Sequence, residues 1–328
     1  MQVTTIGVDL AKNIFQVHGI TESDEVAFNR PLRRAQMVPF FARLDPCLVG
    51  MEACSTSHYW ARELTKLGHE VRLIPPMYVK AYVKRGKSDA IDAEAICEAV
   101  TRPTMRFVEA KSVEQQALLS LHRARSLMVR QRTQLVNALR SMLAEFGVYV
   151  ARGLARAISF AQDMLAGAEL ELPEIAQDVV HNLCGQLSVL HGQVRWYEVR
   201  LRLEAKRDPR VKLLQTIPGV GPVTASAIAA SIGSGHQFNN GREFAAWLGL
   251  TPTNRSSGGK ERLGRITNSH GTSYGDALPG NGWAPISAAI AYRRNGVAWQ
   301  ADKISPGTGE QDSTDRLGGL DKERAVRA

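Results

Sequence analysis

Two apolar, β-branched runs near the N-terminus lead directly into acids: VTTIGVD reaches Asp9 and PCLVGME reaches Glu52. A carboxylate that closes a buried strand is costly to place unless it is paired or holds a metal. Asp9 is then either a compensated strand-end acid or an aspartate of the turn DLAKN. After that turn IFQVHGI resumes strand character, EVAFN reads as a third strand and RRAQMVPFFARL as a short helix. STSHYWARELTKLG follows the second acid as a helix, with Ser55 or Thr56 as cap and Gly68 as stop. EVRLIPP is a further strand, ended by Pro75 and Pro76. The order strand, strand, strand, helix, strand, helix, strand, helix predicts an α/β domain.

The last of those helices carries a second pair of acids. In GKSDAIDAEAICEAV, Ser88 reads as an N-cap, Ile91, Ala95, Ile96 and Ala99 supply an apolar side, and Asp89 and Asp92 stand three apart. Residues at that spacing share a helical face, so the carboxylates project together. Like charges so placed call for a cation between them, and a hard ion such as Mg²⁺ takes oxygen ligands. The plainer reading is an acidic first turn that complements the helix dipole. Lys80, Lys84, Arg85 and Lys87 precede these acids, with Arg102 and Arg106 after them. Such a run is a solvated basic face, or a set of cations that positions phosphates without reading sequence.

A net charge of +9 over 328 residues favours a polyanionic partner, and the length points to about two domains. Cys47, Cys54, Cys97 and Cys184 form neither a CxxC pair nor a zinc spacing with histidine, which fits thiols in a reducing compartment. There is no apolar run long enough to span a bilayer and no signal-peptide pattern, so a cytoplasmic protein with no membrane partner is expected.

From about 113 the periodicity becomes that of a long helix. Leu118, Leu121, Arg125, Met128, Arg132, Leu135, Leu139, Met142 and Phe146 recur in steps of three and four. Val180, Leu183, Leu187, Leu190, Val194, Tyr197 and Leu201 form a second such seam, with shorter helices around Pro173 between them. The seams pack either as an antiparallel hairpin or across a dimer. Arg123, Arg125, Arg130, Arg132 and Arg140 suit a nucleic-acid backbone, while snorkelling core arginines are the alternative for Arg125 and Arg132. RDPR then ends the helical section. In PGVGP, Gly219 and Gly221 make a tight turn and Pro222 opens a helix whose N-terminus suits a phosphate, although TASAIAASI is equally a packed core helix. The loop NRSSGGKERLGR combines Ser256 and Ser257 with Arg255, Lys260, Arg262 and Arg265. From composition alone it is a flexible turn.

Together, Asp9, Glu52, Asp89 and Asp92 resemble the DEDD tetrad of RNase H-like nucleases of the Holliday-junction-resolvase type. GVDLAKNIFQV, the strand to Glu52 and KSDAIDAEAI more closely resemble the DEDD insertion-sequence transposases, the bridge-RNA-guided, serine-assisted recombinases. The resemblance covers about residues 3 to 266. It implies an RNase H-like (RuvC-like) nuclease domain over 1–110 and a helical coiled-coil arm over 111–206 that supports dimerisation. A mainly helical C-terminal transposase domain with a helix–hairpin–helix-like element and the serine loop would occupy 207–266. By the same resemblance the acid tetrad holds two Mg²⁺ about 4 Å apart, Ser256 is the first choice of nucleophile and Ser257 the alternate. Lys84, Arg85, Lys87, Arg123, Arg125, Arg132, Gly219, Gly221, Arg255, Lys260 and Arg262 are the candidate nucleic-acid contacts. DNA, a structured guide RNA and further copies of the chain, as a dimer or tetramer, are the implied partners. Residues 267–328 depart from the pattern, either through a reading-frame change or as a divergent, disordered terminus. Two rivals stand beside the recombinase: a metal-dependent junction nuclease that uses water, and an inactive nucleic-acid-binding remnant.

Overall fold

Strand β1 (Val3–Asp9) shows why the first domain has layers on both sides of a sheet. Side chains alternate along a strand, so Ile6 and Val8 enter one apolar layer while Gly7 and Asp9 face the opposite way. In the computed structural model residues 2–83 and 88–247 are described, with the backbone of Pro252–Asn254 and Leu263–Ile266. β2 (Ile14–Thr21) and β3 (Val26–Arg33) continue from β1 as an antiparallel meander. β4 (Leu48–Glu52) and β5 (Glu70–Ile74) add parallel strands on its other side, giving a five-stranded sheet of order β3-β2-β1-β4-β5. This is the mixed α/β sheet expected from the pattern of runs.

A 3-10 turn at Arg34–Gln36, α1 (Met37–Phe41) and α2 (Ser57–Lys66) make the crossovers and cover one face. Phe15, Met37, Phe41, Met51, Trp60 and Leu64 fill that layer and are almost fully removed from water. Thr56 precedes α2 but its side chain makes no capping bond. Ser57 ties the turn instead, its Oγ donating to the Cys54 carbonyl and accepting from the Cys54 N–H. After the short α3 (Pro76–Val79), α4 (Asp89–Val100) covers the other face and packs Ile96, Ala99 and Val100 against Ile74 and Val79.

Beyond the sheet, α5 (Val113–Glu145) and α7 (Glu174–Arg207) lie antiparallel within one chain. Their register is set by Arg125 against Glu198 and Arg132 against His191. Between them α6 (Leu154–Leu165) caps the far end, where Leu139, Leu143, Ala157, Ala161, Cys184 and Leu187 form a core. The α7 seam lies inward as expected, with Val180, Leu187, Val194 and Leu201 buried. On α5 the buried residues are Leu119, His122, Ser126, Val136, Leu139 and Leu143; Leu118, Leu135 and Met142 of the expected seam pack beside them, so the buried face is wider than that seam, and Phe146 is exposed. The reason is that α5 has more than one neighbour. Its first half also meets α9 (Pro222–Ile232), through Leu119 against Ala230 and His122 against Ser226.

Asp208 ends α7 and caps α8 (Pro209–Leu214) by accepting from the Arg210 N–H. Pro222 sits in the first turn of α9, whose residues Ala225 to Ala230 are all buried. α10 (Gly241–Trp247) stacks Phe244 on Trp247, with Phe238 edge-on to both. β6 (Pro252–Asn254) and β7 (Leu263–Ile266) pair antiparallel. Among the described residues no helix is long and apolar enough to cross a membrane.

Candidate metal centre

Asp9 and Glu52 are the last residues of two neighbouring parallel strands, in which Val8 is level with Met51. Strand spacing alone therefore sets their backbones about 5 Å apart at one end of the sheet. Each acid is preceded two positions earlier by a glycine facing the same layer. A Cβ on Gly7 would fall on the Ala93 carbonyl oxygen and lie 2.8 Å from the Cys97 Cβ, and one on Gly50 would lie 2.8 Å from the Val100 Cβ. α4 thus rests directly on β1 and β4, and its first turn overhangs the strand ends. Ser88 starts that turn by accepting from the Ile91 N–H at 3.4 Å, and this fixes the placement of Asp89 and Asp92.

The result is a cluster. One ligand oxygen from each of Asp9, Asp89 and Asp92 lies within 4.8 Å of the others. Half-burial raises the Asp9 pKa above its ordinary value, and the charges of Asp89 and Asp92 push it further, opposed by the Leu10 N–H. Glu52 is raised by burial first and then by Asp9 and Asp92, with the Lys80 charge acting against them. Glu52 ends the neighbouring strand close enough for the charges of Asp9 and Asp92 to act on it, and it is not one of the three acids gathered within 4.8 Å. Partly desolvated carboxylates that repel one another, all of them hard oxygen donors, fit a divalent cation of the Mg²⁺ kind.

The other expected contacts are placed as follows. Lys84, Arg85, Lys87, Arg255, Ser256, Ser257, Lys260 and Arg262 lie outside the described residues. Arg123 is exposed on α5. Arg125 is mostly covered and is bound to Glu198 at 2.6 Å, so a phosphate would have to displace that carboxylate. Arg132 faces His191 at 3.3 Å, and its Nε is buried without a hydrogen-bond partner. Arg102 pairs with Glu98 on α4, and Arg106 reaches Glu243 at 3.5 Å. Gly219 holds a positive φ of 83°, whereas Gly221 is extended at −80° and a Cβ there would meet nothing within 4 Å. Sequence reasoning passed over Gly7, Gly50 and the full weight of Lys80. The first two carried a readable signal, a glycine at the same offset before each strand-end acid.

Comparison with known proteins places this geometry in a family. Residues 6–147 match a DEDD transposase model of the IS110 type, and residues 211–276 match the model described as the transposase IS116/IS110/IS902 family. A probable family 20 transposase of Pseudomonas aeruginosa is 48% identical over 268 residues, spanning 81% of this chain and 79% of that protein. The transposase for insertion sequence element IS1328 of Yersinia enterocolitica is 39% identical over 261 residues, covering 80% of this chain and 77% of its own. A pilin gene-inverting protein of Moraxella bovis is 23% identical over 270 residues, or 79% and 75% of the two chains. The mixed sheet with helices on both faces is consistent with the RNase H-like domain of such proteins. The chain belongs to the IS110/IS116 family of DEDD insertion-sequence transposases.

Proposed function

We propose that this protein cleaves and exchanges DNA strands at Asp9, Glu52, Asp89 and Asp92 with Mg²⁺, using Ser256, or its neighbour Ser257, as nucleophile. The observation that carries the reading is the gathering of Asp9, Asp89 and Asp92 at the end of β1, with Glu52 at the end of the adjacent strand. A bound divalent cation would supply Lewis-acid stabilisation of a phosphodiester and ease deprotonation of the attacking hydroxyl. The chain's own groups do the remaining work. The acids hold the charge that attracts the ion, and Lys80 offsets their repulsion at Glu52. The serine oxygen bonds to phosphorus as its proton passes to solvent, the P–O bond to one deoxyribose oxygen breaks, and that oxygen takes a proton from solvent to leave as a hydroxyl. The phosphodiester energy is thereby kept in a covalent linkage that a second strand's hydroxyl can attack, which is what exchange requires. The names of the Yersinia and Moraxella relatives, a transposase and a gene inverter, agree with DNA rearrangement.

A net charge of +9 supports a nucleic-acid partner, and a structured guide RNA is part of the proposal. So is a homo-oligomer in which one copy's serine loop meets another copy's acids. The α5–α7 pair would serve as its coiled-coil arm. The turn before α9, where Gly221 leaves its backbone open, would serve as the phosphate-holding element of a helix–hairpin–helix unit.

The test uses the full chain with DNA containing the element's ends, Mg²⁺, and RNA transcribed from the flanking non-coding segment. A protein–DNA adduct on a denaturing gel is expected, lost in Asp9→Asn and in the Ser256→Ala, Ser257→Ala double variant, which retains metal binding. Full-rate cutting by the double variant would instead mark a hydrolytic nuclease. Residues 277–328 lie beyond the family match, which motivates the second reading, a nucleic-acid-binding remnant. That reading predicts salt-sensitive binding and no adduct under any divalent metal.

A further inference from the structure

The sheet face that carries Asp9 is not wholly covered by α4. Cross-strand partners share a face, as do residues two apart. Asp9 is level with Gln16, Gln16 with Pro31, His18 with Asn29 and Ile14 with Arg33, so all of these lie on the carboxylate face. His18 is buried and Gln16 half-buried on this face, but its β3 edge and the start of β2 are open: Ile14 is 53% exposed, and Asn29, Pro31 and Arg33 are exposed too. The strip is tied to the metal centre. Gln16 Nε2 donates to Asn29 Oδ1 at 2.6 Å, and Asn29 Nδ2 donates at 3.5 Å to the carbonyl of Ala90, between Asp89 and Asp92.

Two cations stand at the end of the strip that lies beside Asp9. The Arg33 N–H is held by Gln36 Oε1 at 2.9 Å, which pins the end of β3. The Arg34 N–H donates to the Asn13 carbonyl at 2.9 Å, which keeps the loop of the exposed Lys12 against that end. Arg30 and Arg34 belong to the other layer: their guanidinium groups lie 4.8 Å from the Phe40 ring centre and 5.3 Å from that of Trp60. From Asp9 to Arg33 the sheet geometry gives two strand spacings and two residues, about 12 Å between backbones. That is a few nucleotides along a strand. The Lys80 charge acts on Glu52 at the same centre.

Resting on the proposed function above, we infer that Lys12 and Arg33 are a backbone-phosphate site for the nucleic-acid strand entering the metal centre, with the Ile14–Gln16–Asn29 strip as its floor. The rival reading is that a proline and an arginine on an edge strand merely discourage strand pairing with other molecules. The two differ in salt dependence.

Binding of a labelled DNA duplex by the full chain is measured by anisotropy, without divalent metal, across a range of KCl. Each phosphate contact contributes about 0.9 to the slope of log K against log salt. The Lys12→Gln, Arg33→Gln variant is therefore expected to lower the slope by about 1.8 and to weaken low-salt binding by roughly tenfold. Arg33→Lys keeps most of both. Arg30→Gln and Arg34→Gln, on the opposite layer, leave the slope unchanged. Unaltered affinity and slope in the double variant would overturn the site, as would an equal loss from the opposite-layer variants. Absence of any salt-sensitive binding by the wild-type chain would instead defeat the proposed function on which the site rests.

Discussion

Gly7 and Gly50 do different work despite matching positions. The Gly7 hydrogen faces backbone, the Ala93 carbonyl and the Cys97 N–H, which cannot rotate away; the Gly50 hydrogen faces the Val100 side chain at the far end of α4. Gly7→Ala should therefore lift the first turns of α4 from β1, at a cost of about 1–3 kcal/mol in a urea titration. Because Asp89 and Asp92 ride on those turns, calorimetry should show Mn²⁺ or Mg²⁺ affinity falling at least tenfold, on the order of 1.4 kcal/mol. Gly50→Ala should cost comparable stability with a smaller loss of metal affinity. Equal metal affinities in the two variants would refute the overhang account. The same carboxylates set a pH dependence. Asp9 and Glu52 have folded pKa values above their ordinary 3.8 and 4.5, so the metal-free fold is favoured while they are protonated. That advantage is lost as pH rises through their raised values. A divalent cation offsets the repulsion of the ionised forms, so the rise in melting temperature on adding Mg²⁺ should grow as pH rises through those raised values, with protons released on binding.

At the scale of elements, the parts legible in the sequence were those governed by local rules. Apolar, β-branched runs gave the strands, and Ser88 with its two acids gave α4 and its acidic first turn. RDPR closes α7 at Arg207, as expected, and its Asp208 also caps the short α8. What escaped the reading was set by neighbours. Pro31 argues against a strand, yet β3 runs through it to Arg33, because an edge strand can spare the N–H. The buried face of α5 is wider than its seam because α9 also packs on its first half, through Leu119 and His122, and nothing within α5 announces a partner a hundred residues away. Likewise Arg125 and Arg132, which suit a phosphate by type, lie against α7 because Glu198 stands opposite. Glu198 is the counter-charge to Arg125 and also receives Arg202 at 3.6 Å. Removing it leaves Arg125 facing other cations in a partly buried seam, whereas removing Arg125 leaves Glu198 still paired. Glu198→Ala should thus destabilise the chain by about 1–3 kcal/mol and Arg125→Ala by less than about 1 kcal/mol in denaturant titration. The reverse order would mean that the pair does not set the helix register.

Across the whole molecule, the sheet domain and the C-terminal helices are joined through a short stretch of chain around the start of α5. Glu109 accepts from Ser234 Oγ at 3.0 Å, Gln115 donates to the Ala230 carbonyl at 3.4 Å, and Arg62 donates to the Lys111 carbonyl at 2.6 Å. Two buried histidines complete the joint. His58 Nδ1 accepts from the Lys111 N–H at 3.2 Å while its Nε2 faces the Lys111 amine at 3.3 Å, and His122 Nε2 meets Ser226 Oγ at 3.1 Å. A ring that accepts a backbone N–H at Nδ1 must be neutral, and a proton there would face Lys111, Arg62 and Arg123. Burial, helped by those cations, holds the His58 pKa down to about 3, and burial with Arg125 holds His122 at about 4. Both folded values lie below the ordinary 6.5, so the unfolded chain takes up protons first as pH falls. Their contribution to stability is complete above pH 6.5 and declines below it, by about 2 kcal/mol for each ring by pH 5. Urea midpoints should accordingly drop between pH 7.5 and 5, and His122→Gln should flatten that drop by about half. Imidazole signals of both rings in the folded chain should stay unprotonated down to pH 5; a titration near 6.5 for either would show that the joint is open to water. The joint also lies near the acidic cluster in sequence, since α2, which carries His58, starts five residues after Glu52. Acid should therefore loosen the joint while it protonates the carboxylates, so divalent-metal binding and domain docking should fail over overlapping ranges of pH.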